Sequence, residues 1–249
     1  MKKLLPILLF LIFNGCKTEK NNVESEKWLS KTIVTFGDSI TWYDGKKFNE
    51  SHAESSNVVK GYQYYLRREL GCYVDNQGVS GYDMTQIYQV IKNYDDFDEV
   101  DAILITSGAN DHRKAVPVGD TESIAAKFDT TTFTGSLQAS IEFILTNNPS
   151  IRIYLMTPII GYYNESGTSD VPGPYKGERI LSEDYVAAIK KVGNIYNIPV
   201  CDVYHTTGIN KLTRTTLIGD KVDVPYYLHP TQEGYQRIAN VLIPFLKNF

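Results

Sequence analysis

Four residues of this 249-residue chain carry groups that acyl transfer requires, and each one follows a break in the apolar pattern. Ser39 ends a Gly-Asp-Ser segment, Gly78 lies within Asn-Gln-Gly-Val-Ser-Gly, Asn110 lies within Gly-Ala-Asn-Asp, and His229 precedes a proline. A serine hydroxyl is a nucleophile, a histidine is its general base, and a glycine N–H and an asparagine amide are donors to an oxyanion. Singly, the four residues also fit an N-cap, a turn, a cap and a surface position. Together they predict acyl transfer through a tetrahedral intermediate.

The segment around Ser39 predicts a strand that ends where a helix begins. Residues 31–36 (KTIVTF) are β-branched and apolar, which indicates a buried strand. Gly37 takes backbone conformations that other residues resist, and Asp38 and Ser39 are of the types that start helices. Ligands bind at the carboxyl ends of parallel strands, beside helix N-termini that favour negative charge. Ser39 therefore occupies a position suited to a nucleophile.

Strand and helix patterns alternate five times along the chain, which indicates a parallel sheet with helices on both faces. The predicted strands cover residues 31–36, 72–76, 100–107, 151–156 and 198–203. The predicted helices cover residues 61–70, 84–91, 134–146 and 182–196, with a last helix through 235–243 that bends or ends near Pro244. This arrangement brings the four chemical residues to one rim of the sheet. A loop rich in Gly, Pro and Tyr at residues 159–179 has the length of a functional loop.

The N-terminus has the pattern of a secreted and lipid-anchored protein. Residues 1–15 combine a basic start with a short apolar run, as in a signal peptide, and Cys16 follows a small residue, as in a bacterial lipobox. Residues 16–27 are charged and Asn-rich, which predicts a solvated, lipidated tether, and residues 28–249 form one domain. We therefore expect an extracytoplasmic lipoprotein, periplasmic or at the cell surface, that meets the membrane only through Cys16.

Charge and cysteine content argue against two features, a nucleic-acid partner and a structural metal site. Loss of residues 1–15 removes Lys2 and Lys3 and changes the net charge from −4 to −6, which argues against nucleic acid as a partner. Only Cys72 and Cys201 follow Cys16, with no CxxC and no Cys/His cluster at zinc spacing. The sequence thus indicates no structural metal.

From residue 31 to residue 249 the chain resembles the SGNH or GDSL hydrolases. The Gly-Asp-Ser segment with Ser39 matches the family's first block, Gly78 its second, the Gly-Ala-Asn-Asp segment with Asn110 its third, and His229 with its proline the last. The resemblance implies a flavodoxin-like three-layer α/β/α sandwich with a five-stranded parallel sheet in the order 2-1-3-4-5. That order separates Cys72 from Cys201 and predicts two free thiols.

The resemblance also implies roles for these residues. Ser39 would attack an ester carbonyl while His229 takes its proton, and the oxyanion would be held by the Ser39 N–H, the Gly78 N–H and the Asn110 amide. His229 would then protonate the leaving alkoxide and activate water, without a metal or organic cofactor.

The chain departs from the family at the residue that orients the histidine. The family places an aspartate three residues before it, where this chain has Tyr226. Three alternatives remain: Asp223 on a folded-back loop, Tyr226 itself, or a backbone carbonyl that accepts the Nδ1 proton. We expect the carbonyl, and thus a Ser–His dyad, ahead of Asp223 as third triad member.

The sequence favours an esterase that removes short O-acyl groups from carbohydrate, so that its substrate is a small-molecule or glycan ester. The reason is that aromatic residues around Trp42 and in 159–179 offer surfaces for sugar rings. Two alternatives stay open. One is a lysophospholipase, lipase or thioesterase with an apolar groove at the serine. The other is a binding lipoprotein that has lost catalysis, as the missing aspartate suggests.

Overall fold

A five-stranded parallel sheet forms the centre of the molecule in this computed structural model, which describes residues 27–164, 178–220 and 226–249. Its strands are β1 (Thr32–Phe36), β2 (Tyr73–Asn76), β3 (Ala102–Thr106), β4 (Arg152–Met156) and β7 (Val200–Cys201). They lie in the order β2-β1-β3-β4-β7, and all neighbours are parallel. The expected flavodoxin-like α/β sandwich and its strand order are therefore confirmed.

Helices cover both faces of this sheet. They are α1 (Ser39–Trp42), α2 (Tyr62–Leu70), α3 (Met84–Lys92), α4 (Ala109–Lys114), α5 (Phe133–Asn147), α6 (Glu183–Tyr196), α7 (Val203–Thr206), α8 (Arg214–Leu217) and α9 (Gln232–Asn248). Successive side chains of a strand point to opposite faces, so Ile33 joins the hydrophobic core under α2 and α9 while Val34 joins the core under α3, α5 and α6. Burial of both faces explains why the inner strands β1, β3 and β4 are mostly apolar runs rather than alternating ones.

A second, small antiparallel sheet lies outside the predicted elements. Strand β5 (Tyr162–Asn164) pairs with β6 (Glu178–Ile180) on one side and with β8 (Tyr226–Tyr227) on the other. Sequence patterns predicted a loop at residues 159–179 and no strand between residue 203 and His229, so these short strands correct that interpretation. A pairing of two residues, such as that of β5 with β8, is too short to show an alternating pattern in the sequence. The paired segments are also distant in sequence, so local patterns do not predict the pairing.

The two cysteines of the domain are free, buried thiols at opposite edges of the sheet, as the strand order predicted. Cys72 directly precedes the edge strand β2, and Cys201 lies in β7 at the other edge. Burial raises the pKa of the Cys72 thiol to about 11 and that of Cys201 to about 12. Both sulfurs are therefore neutral and unreactive in the folded protein.

The described chain begins against its own C-terminal helix. The Trp28 side chain is buried, and its indole N–H donates to the Leu246 carbonyl at 2.9 Å. Helix α9 continues through Pro244 to Asn248, so the proline does not end it as one reading of the sequence had it. The predicted signal peptide (1–15) and most of the tether (16–27) lie outside the described residues. Among the helices that the structure describes, none has the length and apolar character of a membrane span.

Candidate active site

The nucleophile candidate, Ser39, is the first residue of the one-turn helix α1. Asp38 caps this helix, because its Oδ1 accepts a hydrogen bond from the Ile40 N–H at 2.9 Å. The Asp38 carboxyl is fully buried, and the loss of hydration raises its pKa to about 6. The first N–H groups of a helix have no partner within the helix, so the start of α1 offers donors beside the Ser39 hydroxyl.

Hydrogen bonds from three other elements hold α1 in place. The Thr41 carbonyl accepts from Nε2 of Gln63 and from Nδ2 of Asn76, both at 2.8 Å. The Ile40 carbonyl accepts from the buried phenol of Tyr235 at 2.9 Å. A four-residue helix is unstable by itself. The position of Ser39 is therefore fixed by α2, β2 and α9 rather than by the helix that carries it.

Ser39, His229 and Asp220 form a continuous hydrogen-bonded chain. Nε2 of His229 lies 2.9 Å from Oγ of Ser39, and Nδ1 lies 2.8 Å from Oδ1 of Asp220. The Ser39 side chain is buried with a residue exposure of 4%, and Asp220 is buried with 2%. With a carboxylate on Nδ1, the proton of neutral imidazole stays on that nitrogen and leaves Nε2 as the acceptor for the serine hydroxyl. This is the arrangement of a nucleophile, a base and an orienting acid.

The structure corrects the expectation about what holds His229. A carboxylate, not a backbone carbonyl, receives Nδ1, so the site is a triad and not a dyad. Asp220 precedes His229 by nine residues. The other candidate acid, Asp223, lies outside the described residues. The backbone of Tyr226, at the family's aspartate position, is part of β8 and pairs with Tyr163.

The Asp220 carboxylate also fixes the backbone of the histidine. Its Oδ2 accepts the N–H groups of Leu228 at 2.8 Å and His229 at 2.7 Å. The backbone N–H of the preceding residue, Gly219, donates to the His229 carbonyl at 2.9 Å. The chain from β8 to His229 therefore folds back onto the Asp220 segment.

Aromatic side chains pack around the His229 segment. The Tyr43 ring meets the His229 ring edge-on, with centroids 5.3 Å apart. His52 stacks on Phe48, and its Nδ1 accepts from the Glu54 N–H at 3.1 Å, which leaves Nε2 to face the His229 carbonyl at 3.4 Å. Burial lowers the pKa of His52. A neutral, packed His52 thus supports the loop that carries the base.

The predicted oxyanion donors come from the ends of the two strands that flank β1. Gly78 follows β2, and its N–H donates to Oδ1 of Asn76 at 3.0 Å in this structure. A Cβ at position 78 would come within 2.6 Å of the Trp42 nitrogen, so only glycine lets this loop approach α1 so closely. Because Asn76 also binds the Thr41 carbonyl, one amide side chain joins the Gly78 loop to α1.

Asn110, the other predicted donor, lies near the start of α4, after β3. Its residue exposure is 5%, and its Nδ2 donates to the Tyr82 carbonyl at 3.0 Å. Its Oδ1 accepts from Nε and Nη2 of Arg113 at 3.2 and 3.1 Å. The amide is thus held by contacts on both of its ends.

Asp111 ties the Asn110 segment to α3. The Asp111 carboxylate accepts from the Met84 N–H at 2.9 Å, the Ser107 hydroxyl at 2.8 Å and the Gly108 N–H at 3.1 Å. Burial raises the pKa of this carboxyl to about 6. Asp111 has a structural role, because its carboxylate is occupied by donors of the protein's own backbone and side chains.

Sequence reasoning missed Asp220, Asn76 and Arg113. Asn76 lies in the same short motif as Gly78, and Arg113 follows Asn110 at helical spacing, so both carried a weak local signal. Asp220 carried none, because nothing in its neighbourhood distinguishes it from other loop aspartates. In the part of the chain that the structure describes, no group of three or more His, Cys, Asp or Glu side chains forms a metal site.

Comparison with known proteins adds to this geometry. The model of the GDSL-like Lipase/Acylhydrolase family matches residues 35–237. No curated protein matches the chain.

Several solved structures have a similar fold. A possible lipase from Chitinophaga pinensis DSM 2588 has a TM-score of 0.66 and 23% identity, over 87% of this chain and 98% of that one. A protein from Lactobacillus plantarum has a TM-score of 0.62 and 24% identity, over 88% and 98%. The lipase/acylhydrolase from Enterococcus faecalis has a TM-score of 0.57 and 22% identity, over 88% and 96%.

The family match covers more than half of the chain and spans the segments of Ser39, Gly78, Asn110 and His229. The sequence resemblance, the flavodoxin-like sheet and the family match all agree. The chain therefore belongs to the GDSL-like lipase/acylhydrolase family and is an ester-hydrolysing enzyme.

Proposed function

We propose that this protein is a serine esterase that removes short O-acyl groups, from carbohydrate above all, through a Ser39 acyl-enzyme. The observation that supports this mechanism best is the hydrogen-bonded chain Ser39–His229–Asp220, with distances of 2.9 and 2.8 Å. These are hydrogen-bond distances for a nucleophile and its base, and for the base and its orienting group.

Acylation begins when Oγ of Ser39 forms a bond to the ester carbonyl carbon and gives its proton to Nε2 of His229. The Asp220 carboxylate stabilises the imidazolium that results. The tetrahedral intermediate then collapses, the bond to the leaving oxygen breaks, and the Nε2 proton moves to the departing alkoxide. Deacylation repeats these steps with water in place of the serine hydroxyl, which returns Ser39 and releases the acid.

The negative oxygen of the intermediate is stabilised by the Ser39 N–H, the Gly78 N–H and the Asn110 amide. The Gly78 N–H donates to Oδ1 of Asn76 in this structure. During catalysis it must therefore donate to Asn76 and the oxyanion together, or leave Asn76 and donate to the oxyanion alone. Loss of one such donor lowers kcat by about a hundredfold or more.

A carbohydrate substrate is supported by aromatic residues near the nucleophile. Trp42 closes α1 three residues after Ser39 and is partly exposed. One part of its surface is occupied, because the Lys46 ammonium lies 4.7 Å from the ring centroid. The Tyr43 ring, with its centroid 5.1 Å from that of Trp42, covers another part, so a sugar ring that stacks on Trp42 displaces Lys46 or uses ring surface that neither residue covers. Of the tyrosines in residues 159–179, Tyr162 is buried and Tyr175 lies outside the described residues.

Hydrolysis of p-nitrophenyl acetate and p-nitrophenyl octanoate by wild type and Ser39→Ala tests the proposal. We expect Ser39-dependent turnover with preference for acetate, and release of acetate from acetylated xylan. The thermal midpoint of Ser39→Ala should change little, because the substitution removes one oxygen from a buried site that is otherwise intact. Preference for octanoate would instead identify a lipase, lysophospholipase or thioesterase. Absence of Ser39-dependent turnover would identify a binding protein without catalysis.

We also propose that the protein is an extracytoplasmic lipoprotein held by a lipid at Cys16. The support is the sequence pattern of residues 1–16 and the charged, solvated tether that follows it. An acidic domain has no electrostatic attraction to anionic lipids, so the anchor would supply the attachment.

A further inference from the structure

Asn110 must present an N–H, and not its carbonyl oxygen, to an oxyanion. An asparagine side chain is nearly symmetric in shape, so its two orientations differ mainly in hydrogen bonding. With the amide reversed, Oδ1 would face the negative oxygen of the intermediate and repel it. What fixes the orientation of this amide therefore affects catalysis directly.

Two contacts of Asn110 specify the same orientation. The Tyr82 carbonyl accepts from Nδ2 at 3.0 Å, so the NH2 group must lie on that side. The Arg113 guanidinium donates to Oδ1 from Nε and from Nη2, so the oxygen must lie on the other side. Reversal would place two donors together at Arg113 and two acceptors together at Tyr82. Among the hydrogen bonds of the described residues, the one to the Tyr82 carbonyl uses one of the two Nδ2 protons. The second proton is left for a substrate atom.

The contact from Arg113 does more than fix a rotamer. A cation that donates two hydrogen bonds to an amide oxygen draws electron density from the amide and makes its N–H groups stronger donors. Arg113 lies three residues after Asn110 on α4, at a spacing that places both side chains on the same side of the helix.

The neighbouring cation has a different role. Lys114 follows Arg113 directly but binds the Asp83 carboxylate at 2.7 Å and Oε1 of Gln86 at 2.6 Å. The two residues thus carry the same charge on the same helix, and Arg113 makes the hydrogen bonds to the amide. This pair supplies a matched control.

We propose that Arg113 is a positioning residue that orients and polarises the Asn110 amide for the oxyanion. The proposal rests on the proposed esterase function. It assigns Arg113 no contact with the substrate.

The test compares Arg113→Met with Lys114→Met on p-nitrophenyl acetate, a neutral ester, with Ser39→Ala as the blank. We expect Arg113→Met to lower kcat about tenfold, less than the loss of the whole donor, and to leave KM almost unchanged. Phenylboronic acid, which forms a tetrahedral anion on a serine, should inhibit Arg113→Met more weakly by a similar factor. Arg113→Lys, which retains the charge and can donate one hydrogen bond, should recover part of kcat.

Each contrary result has its own meaning. An equal loss of kcat in Lys114→Met would show that the effect is not specific to the contact between Arg113 and Asn110, and would overturn the proposal. A rise in KM for a negatively charged ester, such as a p-nitrophenyl hemisuccinate, with unchanged kcat for the neutral ester, would make Arg113 a substrate-binding residue and overturn it too. Wild type with no turnover above the Ser39→Ala blank would refute the esterase function itself, and the role of Arg113 with it.

Discussion

Asp220 binds His229 through both of its carboxylate oxygens: Oδ1 lies 2.8 Å from the ring Nδ1, and Oδ2 accepts the backbone N–H of the same histidine at 2.7 Å. One carboxylate therefore fixes both the tautomer of the base and the position of its backbone. This double contact explains how the chain retains a triad although Tyr226 stands where the family has its aspartate.

Replacement of this acid should show its role in catalysis. We expect Asp220→Asn to lower kcat by about a thousandfold or more, because an amide at this position disfavours the Nδ1–H tautomer and does not stabilise the imidazolium. The measurement is kcat on p-nitrophenyl acetate, together with the thermal midpoint, since Asn offers one acceptor oxygen where Asp220 has two.

Asp223→Asn is the matched comparison, because it makes the same chemical change three residues away. We expect less than about a tenfold change in its kcat, since Nδ1 already has Asp220. A large loss in Asp223→Asn with an active Asp220→Asn would contradict the triad described here.

Gly78→Ala should disrupt the site without any change of charge. A Cβ at this position would lie 2.6 Å from the Trp42 nitrogen and 2.8 Å from the Thr41 carbonyl carbon, which are backbone atoms of the nucleophile helix. We expect kcat to fall at least about a hundredfold as the Gly78 N–H and Ser39 move apart. Gly81→Ala controls for backbone strain in this loop, because Gly81 has a φ of +82° and nothing within 4 Å of its Cβ position. Activity retained in Gly78→Ala would contradict the requirement for glycine at this position, since alanine keeps the N–H and adds only the Cβ.

Asp38→Asn should change how stability depends on pH. Burial raises the pKa of Asp38 from 3.8 to about 6, so between these pH values the folded state holds a proton that the unfolded state has lost. This bound proton stabilises the folded state fully below pH 4, and its contribution disappears as the pH rises through 6. The total contribution to the free energy of unfolding is on the order of 2 to 3 kcal/mol. Asn retains the helix cap and does not ionise. The variant should therefore gain stability relative to wild type from pH 4 to pH 7, as measured by urea unfolding.

Asp129→Asn is the control for that experiment. Asp129 is exposed, and hydrogen bonds from Thr131 lower its pKa, so its own contribution changes only below pH 4. A stability difference between wild type and Asp38→Asn that is constant from pH 4 to pH 7 would contradict the raised pKa of Asp38.

Membrane attachment should depend on Cys16. We expect Cys16→Ser to move the protein from the membrane fraction to the soluble fraction, because the lipid is the proposed anchor. Extraction of wild type with high salt distinguishes an electrostatic attachment, which it would remove, from a lipid. Wild type that is already soluble after fractionation would indicate an ordinary cleaved signal peptide.

The sequence alone determined which segments form the strands of the central sheet and the positions of the residues at their ends. Buried parallel strands are apolar runs that end in Gly, Asn, Asp or Ser, and these patterns depend on residues a few positions apart. Residues 31–36 with the Gly-Asp-Ser that follows illustrate this, because the structure has the strand at Thr32–Phe36 and the helix from Ser39. The strand order followed from the family resemblance, and it placed Cys72 and Cys201 correctly at opposite edges.

The tertiary structure alone decided which carboxylate serves His229. Asp220 and Asp223 both precede the histidine on an irregular segment, and nothing local distinguishes them. The choice depends on the path of the backbone, which is set by the Gly219 N–H at the His229 carbonyl and by the pairing of β8 with β5. The bridge from Asn76 to the Thr41 carbonyl, across 35 positions, is decided in the same way. Hydrogen bonds of this kind are directional and short in range, so they exist only once the fold has brought their partners within about 3 Å.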